Sequence, residues 1–189
     1  MKKTYDLCVL GLGYIGLPTA CIFATKGLSV LGVDVNQSVL DKVRDGKSHF
    51  SEPDLDLLVN ASTSSGHLQV GAEPGFSKVF VLAVPTPFNK QGSGCPTPDL
   101  SCVENAAKAI APFLRQENLV ILESTSPVGT TEKVAEWIDN AREESKLEPL
   151  EKVHYVHCPE RILPGQMLKE LVSNDRLVGG LTQESGSIA

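Results

Sequence analysis

Residues 11–16 read Gly-Leu-Gly-Tyr-Ile-Gly, a G-x-G-x-x-G pattern between a predicted strand and a predicted helix. Glycines at this spacing let the backbone turn tightly against a pyrophosphate, whose charge is stabilised by free N–H groups and the helix dipole. Asp34 lies at the end of the next predicted strand. A carboxylate there accepts hydrogen bonds from the adenosine ribose and repels a 2′-phosphate. The pattern predicts binding of NAD rather than NADP; alternatively, the glycines only close a tight turn.

Two further predicted strands end in turns that carry hydroxyl groups. Thr86 lies in the turn Pro-Thr-Pro, and Thr125 lies in Glu-Ser-Thr-Ser-Pro. Open α/β sheets bind ligands beyond the carboxyl ends of their strands, so both threonines are candidates for cofactor contact. Two alternatives stay open: a rigid turn with a solvent-facing hydroxyl at Thr86, and a purely capping role for the second stretch, with Ser126 as the N-cap.

The sequence His-Cys-Pro-Glu-Arg-Ile-Leu-Pro-Gly at positions 157–165 follows another predicted strand. Glu160 is a candidate for positioning a water molecule or taking its proton, and Arg161 for pairing with an anionic or polar substrate group. An ordinary surface ion pair would use the same two residue types, and this alternative stays open. Cys158 has no evident neighbouring base, so we interpret it as structural.

Short β-branched runs alternate with longer helical patterns, which is typical of successive βαβ units. We predict an α/β fold: a Rossmann-type doubly wound parallel sheet with helices on both faces, in one domain over residues 1–189. The predicted strands cover residues 5–10, 29–33, 68–70, 79–84, 119–122, 153–157 and 176–178. The predicted helices cover residues 14–26, 38–45, 55–61, 101–113, 127–144 and 167–172. Residues 89–98 and the last ten residues are predicted to be loops.

Local signals mark three predicted helix ends. Gly27 is expected to end the first helix in a left-handed conformation. Ser101, with Glu104 three residues later, matches a capping box, and Pro127 suits the first position of a helix.

Composition narrows the class of protein. The chain has 189 residues, 41% of them hydrophobic, and a net charge of −6 with scattered basic residues, which argues against nucleic-acid binding. It has no 18-residue apolar run and no signal peptide, so we expect a soluble, cytoplasmic protein that does not bind membranes. An odd number of cysteines without a Cys-x-x-Cys pair predicts reduced thiols, with neither disulfides nor a metal site: Cys8, Cys21, Cys95, Cys102 and Cys158.

Six segments, in this order, resemble the UDP-N-acetylmannosamine dehydrogenases of the nucleotide-sugar dehydrogenase family. They span nearly the whole chain: GLGYIGLPTA, GVDVN, VPTPF, PDLSCVENAAKAI, ESTSPVGTTEKV and HCPERILPG. The PERILPG sequence is more similar to this branch than to the UDP-glucose branch, in which a PEFLREG-like sequence is usual.

The resemblance implies oxidation of a UDP-sugar at C6 from alcohol to carboxylate, with two NAD molecules, an aldehyde intermediate and a cysteine thioester. The substrate would be UDP-N-acetyl-D-mannosamine. NAD contacts are implied for the motif glycines and five further residues: Gly11, Gly13, Gly16, Tyr14, Ile15, Asp34, Thr86 and Thr125. Glu160 and Thr125 are the implied catalytic residues, and Arg161 and Ile162 would line the substrate site.

The family also has a central dimerisation helix and a second, UDP-binding domain, which contains the thioester cysteine and an essential lysine and asparagine. We expect these parts to be absent from this chain, which alone would be inactive, and full-length members to be homodimers. Two alternatives stay open: a stand-alone NAD-sensing or regulatory module, and a dehydrogenase for a different UDP-sugar. The PERILPG and ESTSPVGTT sequences argue against a third, a hydroxy-acid dehydrogenase related to 6-phosphogluconate dehydrogenase.

Overall fold

The computed structural model describes residues 3–89, 96–163 and 165–189. Its strands are β1 (Tyr5–Leu10), β2 (Val30–Val33), β3 (Leu68–Gly71), β4 (Ser77–Leu82), β5 (Phe88–Asn89), β6 (Thr97–Pro98), β7 (Leu119–Leu122), β8 (His154–His157) and β9 (Gly179–Gly180). Its helices are α1 (Gly16–Thr25), α2 (Gln37–Arg44), α3 (Leu55–Ser64), α4 (Ser101–Ile110), α5 (Thr130–Glu144), α6 (Met167–Ser173) and α7 (Gln183–Ile188), with a 3₁₀ turn at Ala111–Phe113.

The main sheet has the strand order β3-β2-β1-β4-β7-β8-β9. Its first six strands are parallel, and β9 pairs antiparallel with β8 at the edge. The chain begins in the middle of the sheet, adds strands on one side, and then returns to add β4 on the other side of β1. The predicted doubly wound parallel sheet is confirmed.

Helices cover both faces of this sheet because side chains alternate along each strand. On β1, Leu7 and Val9 belong to one buried cluster with residues of α1, α2 and α3. Cys8 and Leu10 belong to a second cluster with residues of α4 and α5. Two separate apolar layers therefore hold the sheet, and its carboxyl edge is left for a site.

Two helix beginnings differ from the predictions. Helix α5 starts at Thr130, three residues after Pro127, because Gly129 lies in the left-handed region with φ +88° and interrupts the helical backbone. Ser126 is therefore not its N-cap; its hydroxyl donates to the Ser124 carbonyl. The predicted capping box of Ser101 and Glu104 is also wrong. The Ser101 N–H, which the Glu104 side chain would accept in such a box, donates to Asp99 Oδ1 at 2.9 Å. The left-handed Gly27 after α1 is confirmed.

The carboxyl-terminal elements also differ from the predictions. The last strand is Gly179–Gly180 rather than residues 176–178, because the Arg176 side chain turns inward to two carboxylates. The final residues form α7 instead of a loop, with Thr182 Oγ1 accepting the Ser185 N–H.

The predicted loop at 89–98 begins and ends in a short antiparallel pair, β5 with β6, and residues 90–95 lie outside the described part of the chain. Cys95 is one of these residues; the other four cysteines are free thiols. In residues 3–89, 96–163 and 165–189, no helix is both long enough and apolar enough to cross a bilayer.

Candidate functional site

A cavity of about 660 Å³ opens at the carboxyl ends of the central strands. It lies where the chain reverses direction across the sheet, with β2 on one side of β1 and β4 on the other. Open α/β sheets bind ligands in this crevice. Four residues of α4 line it, together with residues that follow six strands, including Gly11, Asp34, Val84, Thr125 and Glu160.

The three glycines of the motif have different surroundings. A Cβ on Gly11 would lie 2.6 Å from the Ala83 carbonyl oxygen, and one on Gly16 would lie 1.9 Å from the Gly11 carbonyl oxygen. These two glycines are required by the packing of the turn itself. A Cβ on Gly13 would meet no atom within 4 Å, and Gly13 lines the cavity. Gly13 is therefore the glycine that keeps space open for a ligand.

Asp34 lies at the end of β2, and its carboxylate already holds the glycine-rich turn. Oδ2 accepts the Leu12 N–H at 2.9 Å, and Oδ1 accepts the Asn36 N–H at 2.8 Å. A carboxylate has about four lone-pair positions, so acceptor capacity is left for a ribose. Asp34 lines the cavity as predicted, and it also has a structural role that the sequence did not indicate.

The turns after β4 and β7 are joined at the cavity wall. Thr86 Oγ1 donates to the Thr125 carbonyl at 2.7 Å, and Ser124 Oγ donates to the Val84 carbonyl at 2.7 Å. Both threonines line the cavity, together with Tyr14 and Ile15 of the glycine-rich turn. The structure thus brings the predicted cofactor contacts other than Gly16 together around one space.

Glu160 and Arg161 differ in exposure. The Glu160 side chain is 5% exposed and lines the cavity, and its Oε1 accepts the Arg161 N–H at 2.8 Å. Arg161 is exposed and lines a second, smaller cavity of about 330 Å³ that Glu160 also borders. Ile162 lines neither cavity in the described part of the chain. The catalytic and substrate-binding roles of these residues stay predictions.

Sequence reasoning missed the partner of Glu160. Nη2 of Arg176 lies 2.5 Å from Glu160 Oε2, and Nη1 lies 3.2 Å from Glu123 Oε1. Glu123 is 4% exposed and lines the cavity, and its Oε2 has no hydrogen-bond partner among the residues that the structure describes. One guanidinium is therefore shared by two buried carboxylates, which gives this group of three side chains a net charge of −1 when both are ionised.

Burial and the neighbouring charges shift the pKa of Glu123 and that of the nearby Cys158 thiol. Burial raises the pKa of Glu123, which Arg176 opposes and the nearby Glu160 reinforces. Burial also raises the pKa of the Cys158 thiol, against the influence of Arg176. A thiol with a raised pKa is a poor nucleophile at neutral pH, in agreement with a structural role for Cys158.

The cavity fits a dinucleotide cofactor in shape and chemistry. Its volume falls within the range of small-molecule sites. From the end of β2 to the end of β7 there are three strand spacings, about 14 Å, with the glycine-rich turn between them. Asp34, the backbone near Gly13, and Thr125 are the groups along this cavity that would hold such a cofactor.

Comparison with known proteins agrees with this site. Residues 5–189 match the family model described as UDP-glucose/GDP-mannose dehydrogenase family, NAD binding domain, which confirms the NAD prediction. The chain is 46% identical to "UDP-N-acetyl-D-mannosamine dehydrogenase" of Campylobacter jejuni, covering 100% of this chain and 47% of that protein. It is 47% identical to "NDP-N-acetyl-D-galactosaminuronic acid dehydrogenase" of Ralstonia nicotianae, covering 97% and 43%.

Comparison with solved structures leads to the same family as comparison of sequences. The solved UDP-N-acetyl-mannosamine dehydrogenase of Staphylococcus aureus has a TM-score of 0.84 at 42% identity, covering 95% of this chain and 42% of that chain. The chain therefore spans less than half the length of the relatives that it matches. Since the family model covers nearly all of the sequence, the chain belongs to the UDP-glucose/GDP-mannose dehydrogenase family and corresponds to its NAD-binding domain.

Proposed function

We propose that this chain is the cofactor-binding part of an enzyme that oxidises UDP-N-acetyl-D-mannosamine at C6 to UDP-N-acetyl-D-mannosaminuronate. The observation that carries the proposal is the single cavity that extends from Asp34 past Gly13 to Thr125 and Glu160. Conversion of a primary alcohol to a carboxylate removes two hydrides and consumes one water molecule. The same proposal assigns the UDP-binding and thioester-forming groups to the part of the relatives' length that residues 1–189 do not match.

NAD supplies the hydride acceptor for both oxidation steps. Asp34 orients the adenosine end and disfavours a 2′-phosphate by charge repulsion, while Thr86 and Thr125 hold the two turns beside the nicotinamide. Glu160, fixed by Arg176 and by the Arg161 N–H, is placed to orient a water molecule and accept its proton at Oε1 or Oε2. Arg161 faces the smaller cavity, where a guanidinium suits a polar or anionic part of the sugar nucleotide.

Titration of the purified chain with NAD and with NADP tests the cofactor part of the proposal. We expect the chain to bind NAD more tightly than NADP. The Asp34→Asn substitution should reduce this difference in affinity. Asparagine is preferred to alanine because Asp34 also accepts two backbone N–H groups, and one acceptor atom is retained. Equal binding of both dinucleotides to the unmutated chain, or no binding of either, would contradict the proposal.

The identity of the sugar needs a separate experiment, because the galactosaminuronic acid dehydrogenase of Ralstonia is as similar to this chain as the mannosamine enzyme of Campylobacter. A protein that joins this chain to the carboxyl-terminal half of the Campylobacter relative would be assayed with both UDP-N-acetylhexosamines. Faster NADH formation with UDP-N-acetyl-D-mannosamine is expected. A preference for UDP-N-acetyl-D-galactosamine would favour the second substrate instead.

A further inference from the structure

The glycine-rich turn is supported from outside by residues 48–52, which we call the 48–52 segment. His49 Nε2 lies 2.6 Å from the Leu12 carbonyl oxygen, and the Phe50 ring lies 5.2 Å, centroid to centroid, from the ring of Tyr14. The Tyr14 hydroxyl donates to Glu52 Oε2 at 3.1 Å. This segment therefore contacts both the backbone and a cavity-lining side chain of the turn.

Glu52 also binds the chain on the substrate side. Its Oε2 accepts the Gly165 N–H at 3.0 Å, and its Oε1 accepts the Met167 N–H at 3.1 Å, at the beginning of α6. The loop before α6 contains Glu160 and Arg161, and the Leu163 N–H in that loop donates to Glu170 Oε2 of the same helix. Glu52 thus fixes the point at which this loop joins α6.

One carboxylate therefore joins the turn, 38 positions before it in the sequence, to a loop more than 110 positions after it. Burial disfavours its charged form, but the N–H groups of Gly165 and Met167 and the Tyr14 hydroxyl outweigh burial and lower the pKa of Glu52. The acceptor is thus ionised at neutral pH. Hydrogen bonds to an ionised acceptor are shorter and stronger than neutral ones.

We propose that Glu52 is a positioning residue that couples the cofactor turn to the loop of Glu160 and Arg161, so that NAD binding orders the substrate side of the site. A dinucleotide against Tyr14 restricts its ring and keeps its hydroxyl on Glu52, which in turn keeps the carboxylate on the two N–H groups. By reciprocity, ordering of residues 165–167 favours NAD binding by the same factor. The inference rests on the proposed function only in requiring that NAD occupies the cavity.

Amide hydrogen exchange at Gly165 and Met167, measured with and without saturating NAD, tests this coupling directly. In the unmutated chain, NAD should slow exchange at these two positions about tenfold. In Glu52→Gln, exchange should be faster without NAD and nearly independent of it, and NAD affinity should fall about fivefold.

The Tyr14→Phe variant distinguishes two roles of Glu52: transmission of NAD binding from the turn, and simple support of the loop before α6. It keeps both N–H bonds to Glu52, the Phe50 ring contact and the His49 contact, and removes only the hydrogen bond from the turn to Glu52. Exchange without NAD should therefore be unchanged, while its response to NAD should be lost. This variant also keeps the test valid if Glu52→Gln fails to fold. Asp41→Asn is the matched control, because Asp41 accepts hydrogen bonds from Gln37 and Arg44 of its own helix, α2; it should behave like the unmutated chain.

Two outcomes would overturn the inference. If NAD binds and slows exchange equally in the unmutated chain and in Tyr14→Phe, Glu52 does not transmit binding, whereas the proposed function stands. If the unmutated chain binds no NAD, the proposed function fails and the inference fails with it.

Discussion

The guanidinium of Arg176 lies 2.5 Å from the Glu160 carboxylate through Nη2. Its other terminal nitrogen, Nη1, lies 3.2 Å from the buried Glu123. Arg176 therefore keeps two neighbouring carboxylates close together at the cavity, although a buried carboxylate without a partner is costly. The position of the Glu160 carboxylate at the cavity therefore depends on this shared cation.

Arg176→Gln should destabilise the chain by about 2 kcal/mol, because two buried carboxylates lose their cation while Arg176 itself is partly exposed. Burial raises the pKa of Glu123, so the stability associated with its neutral form is present at low pH and is lost as pH rises through the raised pKa. Removal of the Arg176 cation should make this loss of stability with rising pH larger. Urea unfolding should show a larger loss of free energy of unfolding at pH 8 than at pH 5.

A second substitution serves as the control for that measurement. Glu123→Gln in the Arg176→Gln background removes one of the two unpaired charges and should recover part of the stability at pH 8. A loss that is equal at both pH values, or no recovery in the double variant, would show that Arg176 acts through packing rather than charge.

Substitutions at two glycines of the turn should distinguish an effect on folding stability from an effect on NAD binding. Gly16→Ala should cost about 3 kcal/mol in free energy of unfolding, because its Cβ would lie 1.9 Å from a backbone oxygen. Gly13→Ala should keep the melting temperature nearly unchanged but weaken NAD binding at least about tenfold, since the new methyl group enters the cavity. Thermal melting and NAD titration of both variants give the comparison. Unaltered NAD affinity in Gly13→Ala would mean that the cofactor lies elsewhere.

Much of this arrangement was predictable because it is local in sequence. The glycine-rich turn, the strand before it and Asp34 at the end of the next strand form one βαβ unit with a recognisable spacing. The strands that lead to Thr86 and Thr125 are recognisable as apolar runs, and parallel strands bring their carboxyl ends to one edge. The fold and the cavity lining therefore followed from local patterns and general topology.

The missed residues act over long sequence separations. Arg176 reaches Glu123 across 53 positions, and Glu52 reaches Met167 across 115, so no local spacing indicates either pairing. Arg176 was interpreted as the start of a strand, because the β-branched and apolar residues after it fit that pattern. Tertiary charge pairing decided its conformation instead. The helix beginning at Pro127 was wrong for a local reason, the left-handed Gly129.

The amino ends of three strands are joined by Asp6. Its carboxylate accepts hydrogen bonds from Lys78 Nζ at 2.8 Å and from the N–H and hydroxyl of Ser29, and these contacts lower its pKa to about 2. A lowered pKa gives stability that is present above the unfolded-state pKa of about 3.9 and is lost as pH falls toward 2. Asp6→Asn should cost about 1 kcal/mol at pH 7, a modest value because Lys78 is exposed.

Chemical unfolding of Asp6→Asn and of the unmutated chain between pH 7 and pH 2 checks this expectation. The difference in free energy of unfolding should shrink as the pH falls below about 4. A difference that stays constant over this range would assign the effect of Asp6 to hydrogen-bond geometry instead of charge.

Cysteine reactivity offers a test of where the cofactor lies. Cys8 and Cys21 are fully buried, and burial raises the pKa of each to about 12, so neither should react with iodoacetamide at pH 7.5. Cys102, near the start of α4, is partly exposed and lines the large cavity. Bound NAD should therefore slow alkylation of Cys102, by about tenfold when nine-tenths of the sites are filled.

Tandem mass spectrometry of the alkylated chain would resolve Cys102 from Cys95, which lies nearby in sequence. NADP at the same concentration is the matched control, because repulsion by Asp34 should leave Cys102 mostly unprotected. Protection by both dinucleotides would argue against a selective role for Asp34. If NAD binds but alkylation of Cys102 is unchanged, the cofactor does not fill the part of the cavity beside α4, and the orientation proposed for it would have to be revised.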